Sequence, residues 1–243
     1  MTSGQATPIQ LKSFRGSADL AKAFDISRET LDRLEIYAEL LTTWQRTMNL
    51  VAPKTIPELW HRHLADSAQL EKLAPSGGHW VDFGSGAGFP GLVIAILRAA
   101  ASSNRQIEAT SEGLPSAPRV TLVESDAKKC AFLREVVRRT RITPLITVEI
   151  LTQRIEAAAT RSKLGMPEVV SARAVAPLTD LLAWSQPLFA PHTVGLFLKG
   201  RGAEAEIQAA QVDWDFTVRL HSSCTDREGS IVEIRAPSLR IKG

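Results

Sequence analysis

Residues 79–100 read His79-Trp80-Val81-Asp82-Phe83-Gly84-Ser85-Gly86-Ala87-Gly88-Phe89-Pro90-Gly91, followed by LVIAILRAA. An apolar, strand-like run passes through glycines at alternate positions, Gly84, Gly86 and Gly88, into an apolar helix. Glycine permits a tight turn there and lets backbone N–H groups approach a ligand closely, while the N-terminus of the following helix favours negative charge beside it. Strand, glycine turn and helix in that order describe a cradle for a nucleotide-like cofactor. The next apolar run, RVTLVES over 119–125, ends in Glu124, whose carboxylate can accept hydrogen bonds from both hydroxyls of a ribose. Gly86 and Glu124 lie 38 positions apart. Setting aside the polar stretch 100–118, AASSNRQIEATSEGLPSAP, brings the spacing near the ~20 usual for such folds, so that stretch reads as an inserted loop. Asp126 reads as the cap of the helix AKKCAFLREVVRR.

Outward from this turn, the same alternation of short apolar runs and helical stretches continues. Strands are expected at 79–84, 119–125, 146–151, 168–174 and 194–200, with two more, DFTVRLHS and SIVEIRA, close together near the end, where they suit an antiparallel edge pair. The fold class that follows is α/β: a Rossmann-like, mostly parallel seven-stranded sheet. Before it, about two dozen residues carry no clear pattern. Ser27 then caps an amphipathic helix with Leu31, Leu34, Ala38, Leu41, Trp44 and Met48 on one face. A second helix is expected from Pro57 through ELWHRHLADSAQLEKL, ended by PSGG at 75–78. The organisation expected is an N-terminal helical extension over 1–78 and a Rossmann-like domain over 79–243.

The composition suits a globule, with 44% hydrophobic and 23% charged residues in 243. Cys130 and Cys224 show no metal-ligand or disulfide spacing, and no leader-like or membrane-length apolar run is present. The cytoplasm is the expected location, with no metal and no membrane partner. A net charge of +3 permits a nucleic-acid partner without demanding one.

The turn GSGAGFPG departs from the GxGxxG of dinucleotide sites and favours S-adenosylmethionine. Together with MNLVAPK, RHLADS, DFGSGAGFPG, ESDAKKCAFLREV, QRIE, SARAVAPL and FLKG, it resembles the bacterial 16S ribosomal RNA guanine-N7 methyltransferases, also called the glucose-inhibited division protein B family. The resemblance covers the chain from about residue 30 to its end. It implies a class I methyltransferase fold, S-adenosylmethionine as methyl donor, and 16S rRNA or the 30S subunit as partner, with the guanine conventionally numbered 527 as target. It also implies that Gly84 and Phe89 line the methionine and adenosine side of the pocket, that Ile155 and Glu156 flank the adenine, and that Arg173 closes the site.

Position along the chain supports part of this assignment. QRIE follows the third expected strand, although Ile155 in the core and Glu156 as a helix cap would read equally well. Arg173 and Lys199 end the fourth and fifth strands, at the edge where open α/β sheets carry their sites, and could hold a methionine carboxylate, an RNA phosphate or guanine O6. Arg154 stands with them as a possible RNA contact. His63 and Asp66, at i and i+3, are supporting residues that could simply pair with each other. Guanine N7 offers a lone pair and no proton, so its methylation needs alignment and no general base. A cofactor-binding sensor or assembly module, or a small-molecule methyltransferase, remains the competing reading.

Overall fold

A computed structural model of the protein describes residues 13–75, 77–108, 118–157 and 162–240, for 101–108 by their backbone. Its centre is a seven-stranded sheet in the order β3-β2-β1-β4-β5-β7-β6. The strands are β1 (His79–Phe83), β2 (Arg119–Glu124), β3 (Thr147–Thr152), β4 (Val169–Arg173), β5 (Val194–Lys199), β6 (Trp214–Ser222) and β7 (Ser230–Leu239). The first five pair in parallel, and β7 runs antiparallel to both β5 and β6. β1, β2, β4 and β5 are buried along almost their whole length, which is why they read as continuous apolar runs. The chain runs outward from β1 to β3 and then returns to place β4 on the other flank of β1. The switch of direction therefore falls between β1 and β4, where open α/β sheets form a crevice at the strand carboxyl ends.

The helices are α1 (Ser17–Phe24), α2 (Arg28–Trp44), α3 (Asp66–Ala68), α4 (Gly91–Glu108), α5 (Ala127–Thr140), α6 (Leu178–Ser185) and α7 (Ala203–Ala210). Ser27 caps α2, its side chain accepting from the Thr30 N–H at 3.3 Å. Leu20, Leu34, Tyr37, Leu41 and Leu64 share one buried cluster with Trp80, Leu92 and Phe132, so the N-terminal helices are packed onto the sheet layer that carries the glycine turn.

Four expectations change. Within the unpatterned first two dozen residues, α1 forms; it is only eight residues long and buries Leu20, too little for a visible period. Residues 1–12 lie outside the described residues. α2 stops at Trp44, short of Met48, because Gln45 folds the chain back: its Oε1 accepts from Leu50 and Val51 N–H at 3.0 Å each, and its Nε2 donates to the Val51 carbonyl at 2.9 Å. The helix expected from Pro57 is a chain of unlike turns instead. A 3-10 segment (Pro53–Glu58) encloses Pro57, a π turn (Trp60–Ala65) follows, and α3 and a second 3-10 turn (Gln69–Lys72) complete it. Pro57 is compatible with a first helical turn; the α geometry is interrupted after it by the π turn, whose Arg62 carbonyl and His63 ring both meet Arg173. Lastly, the stretch 100–118 is not a loop from its start. α4 continues to Glu108, since 92–108 holds neither glycine nor proline and its alanines, arginine, glutamine and glutamate suit a helix; residues 109–117 of that stretch lie outside the described residues.

Candidate functional site

The glycine turn has the backbone that the sequence demands. Gly84, Gly86 and Gly88 have φ of 60°, 56° and 101°, a region that side chains with a Cβ rarely adopt. A Cβ on Gly88 would lie 2.7 Å from the Tyr37 hydroxyl, whereas one on Gly86 would meet only the Gly84 carbonyl, at 3.8 Å. Gly86 thus faces the cleft, and its N–H donates to Glu124 Oε2 at 2.9 Å. The other carboxylate oxygen of Glu124 accepts from the Asp126 N–H at 2.8 Å. Each oxygen keeps a further lone pair, so the carboxylate is fixed in place and can still accept a ribose hydroxyl. Asp126 caps α5 through the Lys128 and Lys129 N–H groups, as expected.

Several residues that hold the turn carried no expectation from the sequence. Tyr37, the only tyrosine, is fully buried, donates to the Ala87 carbonyl at 2.5 Å and stacks on Phe89 with ring centroids 5.3 Å apart. Burial pushes its hydroxyl well above the usual tyrosine range, so it remains a donor. Asp82 ties β1 to β4: Ser171 Oγ donates to its Oδ1 at 2.7 Å and itself accepts from Trp80 Nε1 at 2.7 Å. Burial raises the Asp82 carboxyl to about 6, against the lowering effect of the Ser171 hydroxyl and of the nearby Ser85 and Gly91 donors.

Arg173, at the end of β4, is held from four sides. It donates to the Arg62 carbonyl at 2.9 Å and to His63 Nδ1 at 2.8 Å, lies 3.5 Å from Asp66 Oδ2, and rests over the Phe89 ring at 5.0 Å. The π turn makes this possible, since it presents the Arg62 carbonyl and the His63 ring together. A guanidinium only donates, so His63 Nδ1 must be the bare nitrogen. Nε2 then carries the hydrogen toward Thr55 Oγ1, 2.7 Å away, which in turn donates to the Ala52 carbonyl. Burial, with the Arg173 and Arg62 charges added, lowers His63 to about 3.

That shift carries a stability prediction. Unfolded His63 takes up a proton below its ordinary value of 6.5, while the folded form stays neutral until about 3. The stability it contributes is therefore complete above pH 6.5 and declines as the pH falls, by roughly 2 kcal/mol between pH 6.5 and pH 5. His63→Asn keeps an acceptor for Arg173 and removes the titration. Thermal melts should show a smaller loss from pH 7 to pH 5 in the variant than in the parent protein; equal losses would contradict the assignment.

Gly84, Gly86, Phe89, Glu124, His63, Asp66, Arg173 and Lys199 all line one cleft of about 850 Å³, at the carboxyl ends of β1, β2, β4 and β5. The β6–β7 loop closes its far wall. Thr225 Oγ1 donates to Asp66 Oδ1 at 2.8 Å, and Gln69 receives the Cys224 N–H at 2.9 Å. Lys199 is engaged with the protein: its Nζ donates to the Ala176 carbonyl and to Glu206 Oε2, each at 2.7 Å, joining the 174–177 loop to α7. Gly88 is turned toward Tyr37 and Leu92. The QRIE segment stands apart from the cleft. Ile155 is buried in the cluster on the other face of the sheet with Val123, Arg154 and Glu156 are exposed, and none of the three lines the cleft. One link to the site is the Gln153 N–H, which donates to the Glu124 carbonyl at 3.1 Å.

This donor set suits a nucleoside with a charged tail. The immobilised Glu124 carboxylate has the acceptors to meet a ribose, bare backbone at Gly86 admits close approach, and Arg173 has donors to offer an anionic or carbonyl group. Among the described residues, no group of three or more His, Cys, Asp or Glu is placed to hold a metal ion, and no helix is long and apolar enough to cross a membrane.

Comparison with solved structures gives the same fold. The chain superposes on a methyltransferase from Geobacter sulfurreducens with a TM-score of 0.51 at 12% identity, covering 91% of this chain and 97% of that one. A SAM-dependent methyltransferase from Aquifex aeolicus gives 0.50 at 12% identity, with coverage of 76% and 94%. Sequence relatives are much nearer. A protein of Parvibaculum lavamentivorans named ribosomal RNA small subunit methyltransferase G is 47% identical over 214 residues, 87% of this chain and 85% of its own. A protein of the same name from Paramagnetospirillum magneticum is 46% identical over 224 residues, with coverage of 92% and 97%. The family model described as rRNA small subunit methyltransferase G, GidB, matches residues 30–231. The glycine turn, the strand-end carboxylate and the pinned arginine line one cleft, in a chain that belongs to the rRNA small subunit methyltransferase G family.

Proposed function

We propose that the protein transfers a methyl group from S-adenosylmethionine to N7 of a guanine in 16S rRNA, that this guanine is the one conventionally numbered 527, and that the protein acts in the cytoplasm on the RNA or on the 30S subunit. The observation that carries this reading is the meeting, at the switch point between β1 and β4, of Gly86 and Glu124 with an Arg173 held at fixed orientation. S-adenosylmethionine supplies an activated methyl group. The chain supplies position.

Glu124 accepts the ribose hydroxyls, and the Gly84–Gly88 backbone, braced by Tyr37 and Phe89, flanks the remainder of the donor. Arg173 spends Nη1 on Arg62 and Asp66 and one Nη2 hydrogen on His63, which leaves its Nε–H and a second Nη2–H for guanine O6 or the methionine carboxylate. Lys199 acts through the 174–177 loop that it holds, and Glu206 fixes the lysine in return. No general base is needed for a ring nitrogen with a free lone pair, and holding donor and acceptor in line can lower the barrier by up to about 7 to 11 kcal/mol. The placement of Ile155 behind the sheet supports an indirect part for it, through Gln153 and Glu124, and Arg154, exposed outside the cleft, is an RNA contact in this reading.

The test is methyl incorporation from labelled S-adenosylmethionine into 30S subunits and free 16S rRNA from cells lacking the protein. Label in either RNA supports the proposal. Label that persists after ribonuclease treatment, transferred to a small molecule, would favour a small-molecule methyltransferase, and binding of the donor without transfer would favour a sensor.

A further inference from the structure

Beyond the cleft lies a second cavity of about 590 Å³, and the two share Arg62, Thr225 and Asp226. What stands between them is the ion pair of Arg62 Nη1 with Asp226 Oδ2, 3.5 Å apart, each side chain nearly half exposed at 46% and 41%. A long, exposed pair of this kind is cheaply exchanged for another partner. Its two members are fixed at the backbone for other reasons. The Arg62 carbonyl is a ligand of Arg173, and Asp226 sits in a loop whose neighbour Thr225 is bonded to Asp66. Arg227, exposed beside Asp226, lines the second cavity as a second cation, and the other carboxylate there, Glu228, is paired with Arg201.

We infer that this lip is a phosphate site of the RNA substrate: the Arg62 guanidinium leaves Asp226 for a backbone phosphate of a nucleotide flanking the methylated base, which lies in the second cavity while the base lies in the cleft. The inference rests on the RNA substrate proposed above. Arginine suits the role, because its planar fork matches a phosphate as it matches a carboxylate. Asp226 holds the side chain across the cleft mouth until RNA displaces it. As the Arg62 backbone is a ligand of Arg173, a phosphate bound by Arg62 is registered directly against the reacting centre, and a strand bound one nucleotide out of step lacks that contact. Asp226 is then a competitor of the RNA, not a partner to it.

The two ends of the pair consequently have opposite signs in one experiment. Binding of free 16S rRNA to the full chain, saturated with S-adenosylmethionine, is measured across a salt series, with melting temperature as the control for folding. Arg62→Gln should weaken binding by roughly 3- to 10-fold and make the dependence of log K on log salt shallower by about one unit or less. Asp226→Asn should tighten binding by about 2- to 5-fold, since it removes a competing carboxylate. Arg62→Lys, which keeps the charge, should retain most of the salt slope. If both neutral variants weaken RNA binding, or neither changes it, while the parent protein still binds and methylates the RNA, Arg62 is a structural partner of Asp226 and the phosphate site is refuted, with the proposed reaction intact. If the parent protein itself neither binds nor methylates 16S rRNA, both readings fall together.

Discussion

Gly86→Val should cost at least about 100-fold in affinity for S-adenosylmethionine, equivalent to ~2.7 kcal/mol, while leaving the protein folded. Gly86 has a φ of 56°, and the space where its Cβ would stand is part of the cleft. Valine adds two branches there and, at positive φ, introduces backbone strain of roughly 1 to 3 kcal/mol. Relief of that strain by rotating the backbone would turn the Gly86 N–H away from Glu124 and release the carboxylate that we propose meets the ribose. Gly165 separates the two effects. It also has a positive φ, 65°, but nothing lies near its Cβ position. Gly165→Val should therefore lower the melting temperature with no loss of donor affinity by calorimetry. Parent-like affinity in Gly86→Val would remove the turn from the binding site.

Arg173→Ala should lower single-turnover methyl transfer at saturating RNA and donor by about 100-fold, again ~2.7 kcal/mol of barrier. The reason is alignment. Four contacts fix the guanidinium over Phe89, and a lost positioning group costs rate even when both substrates are bound. The same variant strands the His63 Nδ1 lone pair and the Arg62 carbonyl, so a loss of about 1 to 3 kcal/mol in stability accompanies it, visible in the melting temperature. Arg173→Lys keeps a charge but not the fork, and should fall between the two. An unchanged single-turnover rate in Arg173→Ala, with folding and affinities retained, would show that the residue is only an anchor for the π turn.

The strands were legible because a parallel sheet buried on both faces writes itself as apolar runs, and the glycine turn and Glu124 were legible because both sit within such a pattern. Arg173 was placed by its position at a strand end. What surrounds it was not readable. His63 and Arg173 are 110 positions apart, Thr225 and Asp66 159, Gln69 and Cys224 155, and local periodicity holds no information about such partners. The π turn was hidden for a related reason: Trp60–Ala65 reads as helix, and the departure from α geometry follows from contacts to β4 and the β6–β7 loop. Tyr37 left a usable trace, since a lone tyrosine between Leu34 and Leu41 on the apolar face of α2 has a hydroxyl that needs a buried acceptor. Lys199 and Ile155 show the limit of strand-end position as a guide. Both stand close to the predicted edge, yet Lys199 is committed to Glu206 and Ala176, and Ile155 faces the far layer of the sheet.

Mapping the methylated atom tests the central claim most directly. After reaction with labelled S-adenosylmethionine, 16S rRNA from cells lacking the protein is treated with borohydride and aniline, which cleave the chain at N7-methylated guanine, and the break is located by primer extension. A single new cleavage at guanine 527, absent without enzyme and greatly reduced with Arg173→Ala, is the predicted result. Label incorporated at a base that resists this cleavage would contradict a site built to align a ring nitrogen without a general base.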